Sequence, residues 1–121
     1  MRLALPILAL AVALGAAACG SGSKPIAVPG GDAENGARLI ESYGCGACHR
    51  IGGIPRADGR VGPSLHHFSG DRFLAGRLGN TPRNAIRWIM HPQRIAPGTL
   101  MPDLGVTPRE ARDIVPYLFA H

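Results

Sequence analysis

The chain has 121 residues, enough for one small domain, and its formal charge of +5 is almost wholly arginine, because Lys24 is the only lysine. This mild basic balance suits an encounter with an acidic protein face and argues little for nucleic-acid binding. Three Phe, two Tyr and one Trp against seventeen Gly and eleven Pro exclude a large aromatic core, so we expect many loops and a buried cofactor that adds apolar mass.

The first eighteen residues predict a bacterial export signal. Arg2 precedes an apolar run to Leu14, and small residues up to Ala18 supply a cleavage site. The run is shorter than the roughly 20 residues of a membrane span, so a retained membrane helix is the weaker alternative. We predict a signal peptide at 1–18 that is removed, and a mature chain on the periplasmic side of the cell envelope, where nucleic acid is not an expected partner.

Cys19 follows these small residues directly, as in a bacterial lipoprotein signal. Ala16 stands where such signals usually carry Leu, so plain cleavage after Ala-x-Ala, giving a soluble periplasmic protein, is the alternative. Acylation is favoured because Cys45 and Cys48 share one motif and leave Cys19 as an odd thiol in an oxidising compartment. Residues 19–31, rich in Gly, Ser and Pro, predict a flexible tether between a lipid anchor at Cys19 and the folded domain.

Two helices are predicted before the C-terminal segment. Asp32 can cap the first, from Ala33 to Tyr43, in which Gly36 lies mid-helix at a cost of about 1 kcal/mol relative to Ala. We expect a close helix crossing at this glycine, where a Cβ would clash. The other helix begins at Thr81-Pro82 and is closed by His91-Pro92.

The C-terminal helix begins at a capping box, Thr107-Pro108-Arg109-Glu110, with proline at the first helical position. Pro116 removes a hydrogen bond to the Arg112 carbonyl, which predicts a kink or a looser turn. A short helical turn is also expected from Asp71 to Ala75. Because no segment shows strand alternation, the predicted fold class is all-α with long loops.

Cys45-Gly46-Ala47-Cys48-His49 predicts the covalent attachment of one haem. Two cysteines separated by two residues can each add to a haem vinyl group, and the histidine that follows is placed to bind the iron. The alternatives are a disulfide oxidoreductase, which needs a βαβ pattern, and a zinc site, which needs a second ligand pair; neither signal is present. His49 should bind iron through Nε2 and donate Nδ1–H to a backbone carbonyl, for which Gly62-Pro63 is the candidate.

This motif, together with Gly-Asp-Ala-x-x-Gly, Gly-Pro-x-Leu, Trp-Ile-x-x-Pro-Gln and Pro-Gly-Thr-x-Met-Pro-x-Leu-Gly-Val, resembles a class I cytochrome c from Gly31 to about Ala120. The resemblance implies a small cytochrome c fold in residues 32–121, with three main helices and loops wrapped around one haem c, and a loop methionine as sixth ligand. It matches Gly36 to the helix-crossing glycine, Pro63 to the carbonyl partner of the haem histidine, and Met101 to the axial methionine.

The residues around Met101 support the same assignment. Pro97-Gly98 and Pro102 predict a stiff loop that can present the thioether inward. Met90 is the competing methionine, but it lies on the apolar face of a helix, where methionine more often fills the core. Ligation by a second histidine, which would lower the reduction potential, is the other alternative. The remaining histidines are His66, His67, His91 and His121.

By the same resemblance, two side chains are candidate partners of the haem propionates. The Trp88 indole N–H and the Arg87 guanidinium can each donate to a carboxylate. The alternatives are core packing for Trp88 and a solvated face for Arg87. Arg60 is a weaker candidate of the same kind.

A haem whose axial positions are filled by His49 and Met101 has no open site for oxygen or for a small-molecule substrate, which predicts electron transfer and no catalysis. The expected partners are redox proteins that donate and accept single electrons through small transient interfaces. One alternative is a haem-bearing subunit fixed in a larger respiratory or oxidoreductase complex. A haem enzyme or gas sensor with a displaceable Met101 is the other.

Overall fold

A computed structural model describes residues 26–121, so the predicted signal peptide and Cys19 lie outside the described residues. Regular structure in the described range is mainly helical. In chain order it comprises α1 (Ala33–Ser42), β1 (Phe73–Leu74), β2 (Leu78–Gly79), α2 (Pro82–Met90), α3 (Pro92–Ile95) and α4 (Pro108–Ala120), with 3₁₀ turns at Cys45–Ala47 and Phe68–Gly70. None of the helices in residues 26–121 has the length and apolar character needed to cross a membrane.

Side-chain caps begin the first two long helices at the predicted positions. The Asp32 carboxylate accepts a hydrogen bond from the Asn35 N–H at 3.1 Å and starts α1. Thr81 Oγ1 accepts one from the Asn84 N–H at 3.2 Å and starts α2. Tyr43 caps the carboxyl end of α1, so this helix ends one residue earlier than predicted.

The crossing of α1 and α4 forms the base of the domain. A Cβ at Gly36 would overlap the backbone carbonyl of Asp113, which confirms the close crossing expected at this glycine. Asp113 is only 1 % exposed, and its side chain accepts hydrogen bonds from the Asp32 N–H and from Asn35 Nδ2, each at 2.9 Å. A buried carboxylate of α4 therefore fixes the first turn of α1.

α4 remains α-helical from its capping box to Ala120, without the looser turn expected at Pro116. Pro116 has no N–H to donate to the Arg112 carbonyl. A Cβ at Gly31 would overlap that carbonyl and would lie 3.2 Å from the Pro116 ring. The glycine thus permits the chain before α1 to approach α4 closely beside the proline.

The end of the predicted tether contacts the domain. Val28 is half-buried against the hydrophobic core, and its carbonyl accepts a hydrogen bond from the Gly31 N–H at 2.9 Å. The packed part of the chain therefore begins at Val28, a few residues before the predicted boundary at Asp32.

Residues 71–75 form part of a β-hairpin, so the predicted helical turn there is wrong. β1 and β2 pair antiparallel with Leu74 opposite Leu78. Ala75 and Gly76 both have positive φ, and the Arg77 N–H donates to the Leu74 carbonyl at 2.9 Å, which closes a reverse turn that no right-handed helix accommodates. Strands of two residues are too short to show the alternation by which a strand is recognised.

In residues 26–121 a short fourth helix accompanies the three main helices that the sequence predicts. The chain leaves α2 at His91, and then resumes a single helical turn, α3, with Pro92 at its first position. Proline does not interrupt α3 because the first residues of a helix have no intrahelical acceptor for their N–H groups. Three longer helices, one short helix and a small hairpin together fit the small cytochrome c fold that the resemblance implies.

Candidate functional site

A cavity of about 440 Å³ lies between the segment that follows α1 and the loop that precedes α4. Mostly apolar side chains line it, including Leu65, Phe68 and Leu74. A smaller adjoining recess reaches the core and is lined by Ile40 and Ile114 of the crossed helices. The larger volume lies within the range of roughly 300–1,000 Å³ typical of sites for sizeable organic ligands.

Cys45 and Cys48 lie at one wall of this cavity. Gly44, in the left-handed region with φ of 69°, turns the chain out of α1 into the 3₁₀ turn that carries Cys45. Both thiols are half-buried and neither is in a disulfide. Burial raises the pKa of the Cys45 thiol, which keeps this sulfur protonated at neutral pH. The two sulfurs are thus free to form thioether bonds.

His49 follows on the same wall, and the backbone of residues 62 and 63 fixes its ring. His49 Nδ1 lies 2.7 Å from the Pro63 carbonyl oxygen. Because a carbonyl can only accept, Nδ1 carries the proton, and the lone pair of the neutral imidazole is therefore on Nε2. The Gly62 N–H donates to the Cys48 carbonyl at 2.8 Å, and a Cβ at position 62 would overlap the His49 ring. The ring therefore has one orientation and the tautomer that metal binding needs.

Met101 lines both the cavity and the smaller recess, from the loop between α3 and α4. Met90 packs against the core and does not line the cavity. Among the described residues, His49 is also the one histidine in the cavity lining. The structure thus brings together two free thiols, one imidazole and one thioether around an apolar space. This set of groups fits a covalently bound haem, with a soft sulfur ligand and a nitrogen ligand available to iron.

The comparison with known proteins agrees with this geometry. A family model described as Cytochrome c matches residues 33–120, from the start of α1 to the end of α4. The chain belongs to the cytochrome c family. Membership in this family implies a haem c cofactor and haem-based electron transfer.

One curated relative adds detail. The cytochrome is 34% identical over 70 residues to cytochrome c oxidase subunit 2 of Alkalihalophilus pseudofirmus. The matched residues are 58% of this chain but 20% of that protein. The chain thus spans about a fifth of the relative's length.

The candidate propionate partners of the cytochrome are placed differently from one another. Trp88 lines the cavity and packs against the core. Arg87 is exposed on α2 and its guanidinium lies 3.4 Å from the Asn84 side-chain oxygen. Neither Arg87 nor Arg60 belongs to the cavity lining. A contact with a propionate stays a prediction for all three, and the position of Trp88 suits it best.

Three residues have roles in the cytochrome site that sequence reasoning did not assign to them. Tyr43 lines the cavity and donates its hydroxyl proton to Glu110 of α4 at 2.9 Å. Gly62 gives room for the His49 ring. The only local sign of this role in the sequence is its position directly before Pro63. Gln93 occurs in the Trp-Ile-x-x-Pro-Gln motif, but its side chain contacts residues several positions ahead, which no periodic pattern reveals.

Proposed function

We propose that this cytochrome is a single-electron carrier with one haem c, attached through Cys45 and Cys48 and ligated by His49 and Met101. The observation that carries the proposal is that these four side chains, from two distant stretches of chain, line one apolar cavity. When bound, haem c supplies a reversible one-electron couple at its iron. His49 and Met101 would both hold the iron and would leave it no coordination site for a substrate, so catalysis is not part of the proposal.

The wall that carries Cys45, Cys48 and His49 and the wall formed by the Met101 loop have separate roles. The Pro63 carbonyl accepts the Nδ1–H of His49, orients its ring and increases the basicity of Nε2. The thioether of Met101 and the apolar lining would favour the reduced state of a bound haem, so we expect a reduction potential in the higher part of the haem range. Apolar side chains on both walls exclude water from the cofactor.

We place the protein on the periplasmic side of the cell envelope, after removal of residues 1–18, with a lipid on Cys19 and residues 19–31 as the tether, which meets the domain at Val28. The support is the charged start, the apolar run and the small residues before Cys19 in the sequence. A tethered haem samples a restricted volume near membrane-bound redox partners, which raises its effective concentration there.

A second candidate is a subunit fixed in a larger respiratory complex. The 34% identity with a part of a cytochrome c oxidase subunit 2 favours it, because that relative carries the matching segment within a larger assembly. Purification from detergent-solubilised membranes separates the two. A free carrier elutes alone, whereas a fixed subunit elutes with other redox subunits in constant ratio.

The ligand assignment is tested by a matched pair of variants, Met101→Leu and Met90→Leu, in protein purified with its haem. Met101→Leu should lose the methionine-to-iron charge-transfer band of the ferric protein and bind carbon monoxide when reduced, whereas Met90→Leu should retain the band and resist carbon monoxide. An unchanged low-spin ferric spectrum in Met101→Leu, with the band present, contradicts the proposal. The intact mass of the membrane-derived protein determines the number of attached haems and any lipid on Cys19.

A further inference from the structure

The Gln93 side chain makes three hydrogen bonds to the loop that carries Met101. Its Nε2 donates to the Thr99 carbonyl at 2.6 Å and to the Met101 carbonyl at 2.8 Å. Its Oε1 accepts from the Gly98 N–H at 3.3 Å. Both amide hydrogens and the amide oxygen are therefore used on one short stretch of backbone.

The backbone of the same residue reaches the other side of Met101. The Gln93 N–H lies 3.4 Å from the Asp103 carboxylate oxygen. Residue 93 thus bonds to the loop before, at and after the methionine. Such an arrangement restrains both ends of the backbone that presents the thioether.

The position of Gln93 is itself fixed by the core. It is the second residue of α3, whose first residue, Pro92, is fully buried. The Ala96 N–H closes this turn by donating to the Pro92 carbonyl at 2.9 Å, and Ala96 is buried as well. The amide of Gln93 therefore starts from a backbone that packing holds in place.

The loop has little support of its own. In the described residues, its backbone from 98 to 101 makes two further hydrogen bonds, both local: Thr99 N–H to Ala96, and Met101 N–H to the Thr99 hydroxyl at 3.4 Å. The remaining bonds to this backbone come from Gln93. A loop without regular structure depends on such contacts for a single conformation.

We infer that Gln93 is the positioning residue that holds the Met101 backbone in place for iron ligation. The inference rests on the proposed function, in which Met101 is the sixth ligand. Gln93 itself does not line the cavity. It acts through the loop, so that its loss increases the fraction of molecules in which the methionine is away from the metal and an added ligand can take its place.

The amide chemistry makes the inference specific. Gln93→Met keeps the length of the side chain and removes all three hydrogen bonds. Gln93→Glu keeps an acceptor for the Gly98 N–H, but places carboxylate oxygen against the carbonyls of Thr99 and Met101, which are acceptors themselves. Arg94→Met is the matched control, since Arg94 is the exposed next residue of α3. Gln93→Glu and Gln93→Met should both loosen the Met101 loop much more than Arg94→Met does.

The positioning role of Gln93 is tested by three measurements on the haem-loaded ferric protein: imidazole affinity, the strength of the charge-transfer band, and hydrogen exchange of the Gly98 amide. Loss of a neutral hydrogen bond changes an equilibrium by roughly two- to tenfold, so the loss of three should tighten imidazole binding about tenfold or more. The charge-transfer band should weaken in parallel. The Gly98 amide, which donates to Gln93 in the native protein, should exchange its hydrogen about tenfold faster. Arg94→Met should stay within about twofold of the native protein in each measurement.

The outcomes separate this inference from the proposed function. If the native protein lacks the methionine band, the proposed function fails. If the native protein shows the band, and both Gln93 variants keep it with native imidazole affinity and native Gly98 exchange, only the positioning role fails. A purely structural role would lower the free energy of unfolding without a change in imidazole affinity under conditions where the fold is intact, and that result also overturns the inference.

Discussion

The two walls of the cavity are held by different kinds of contact. On the His49 side, backbone packs closely against backbone and against the imidazole ring: the Gly59 N–H donates to the Gly46 carbonyl at 3.1 Å, and Gly62 leaves no room for a Cβ beside the ring. On the Met101 side, a loop is held by the side-chain amide of Gln93. The first wall should therefore break when atoms are added, and the second should loosen when polar atoms are removed.

The largest effect is expected for Gly62→Ala. The new methyl group would overlap the His49 ring, so either the ring or the Pro63 backbone must move, at a cost of about 3 kcal/mol in the free energy of unfolding. Denaturant titration of the haem-loaded protein measures this loss, and the yield of attached haem should fall with it. Gly70→Ala is the matched control, because a Cβ there meets no atom within 4 Å. Equal stability of the two variants would show that the close contact between the Gly62 backbone and the His49 ring does not hold this wall.

The same contrast explains what was predictable from the sequence. The His49 side is a local motif, and the capped ends of α1, α2 and α4 follow from single residues such as Asp32 and Thr107, so both were recognised. The hairpin was missed because two-residue strands carry no periodicity. The task of Gln93 was missed because it depends on where a short helix places one long side chain, which is a tertiary property.

A second prediction concerns the helices beneath the His49 wall. Asp113→Asn leaves one acceptor oxygen for two donors, Asn35 Nδ2 and the Asp32 N–H, and should lower the free energy of unfolding by about 2 kcal/mol. The methionine band should persist, since the change is in the scaffold and away from the Met101 loop. Asp58→Asn, at an exposed carboxylate, is the control and should change stability little.

The Asp113 carboxylate should also make the free energy of unfolding depend on pH. Hydrogen bonds from Asn35 and from the Asp32 N–H lower the pKa of Asp113 below its ordinary value of 3.8. A lowered pKa in the folded state means that the stabilisation is fully present above the unfolded pKa and is lost as the pH falls through the folded one. Native protein should therefore lose stability below about pH 4. Asp113→Asn should show a shallower loss over that range in acid titrations of unfolding, and parallel curves would contradict this role of Asp113.

The smallest effect is expected at the end of the Met101 loop, where α4 begins. Thr107 Oγ1 accepts a hydrogen bond from the Glu110 N–H at 3.3 Å, and Glu110 in turn accepts one from the Thr107 N–H at 2.9 Å. Thr107→Ala should cost about 1 kcal/mol of unfolding free energy, whereas Thr107→Ser, which keeps the hydroxyl, should cost less. Because Gln93 and not this cap holds the methionine, imidazole affinity should stay native in both variants. A rise in imidazole affinity in Thr107→Ala alone would mean that the start of α4 also restrains Met101, and that the support of this wall is shared between two contacts.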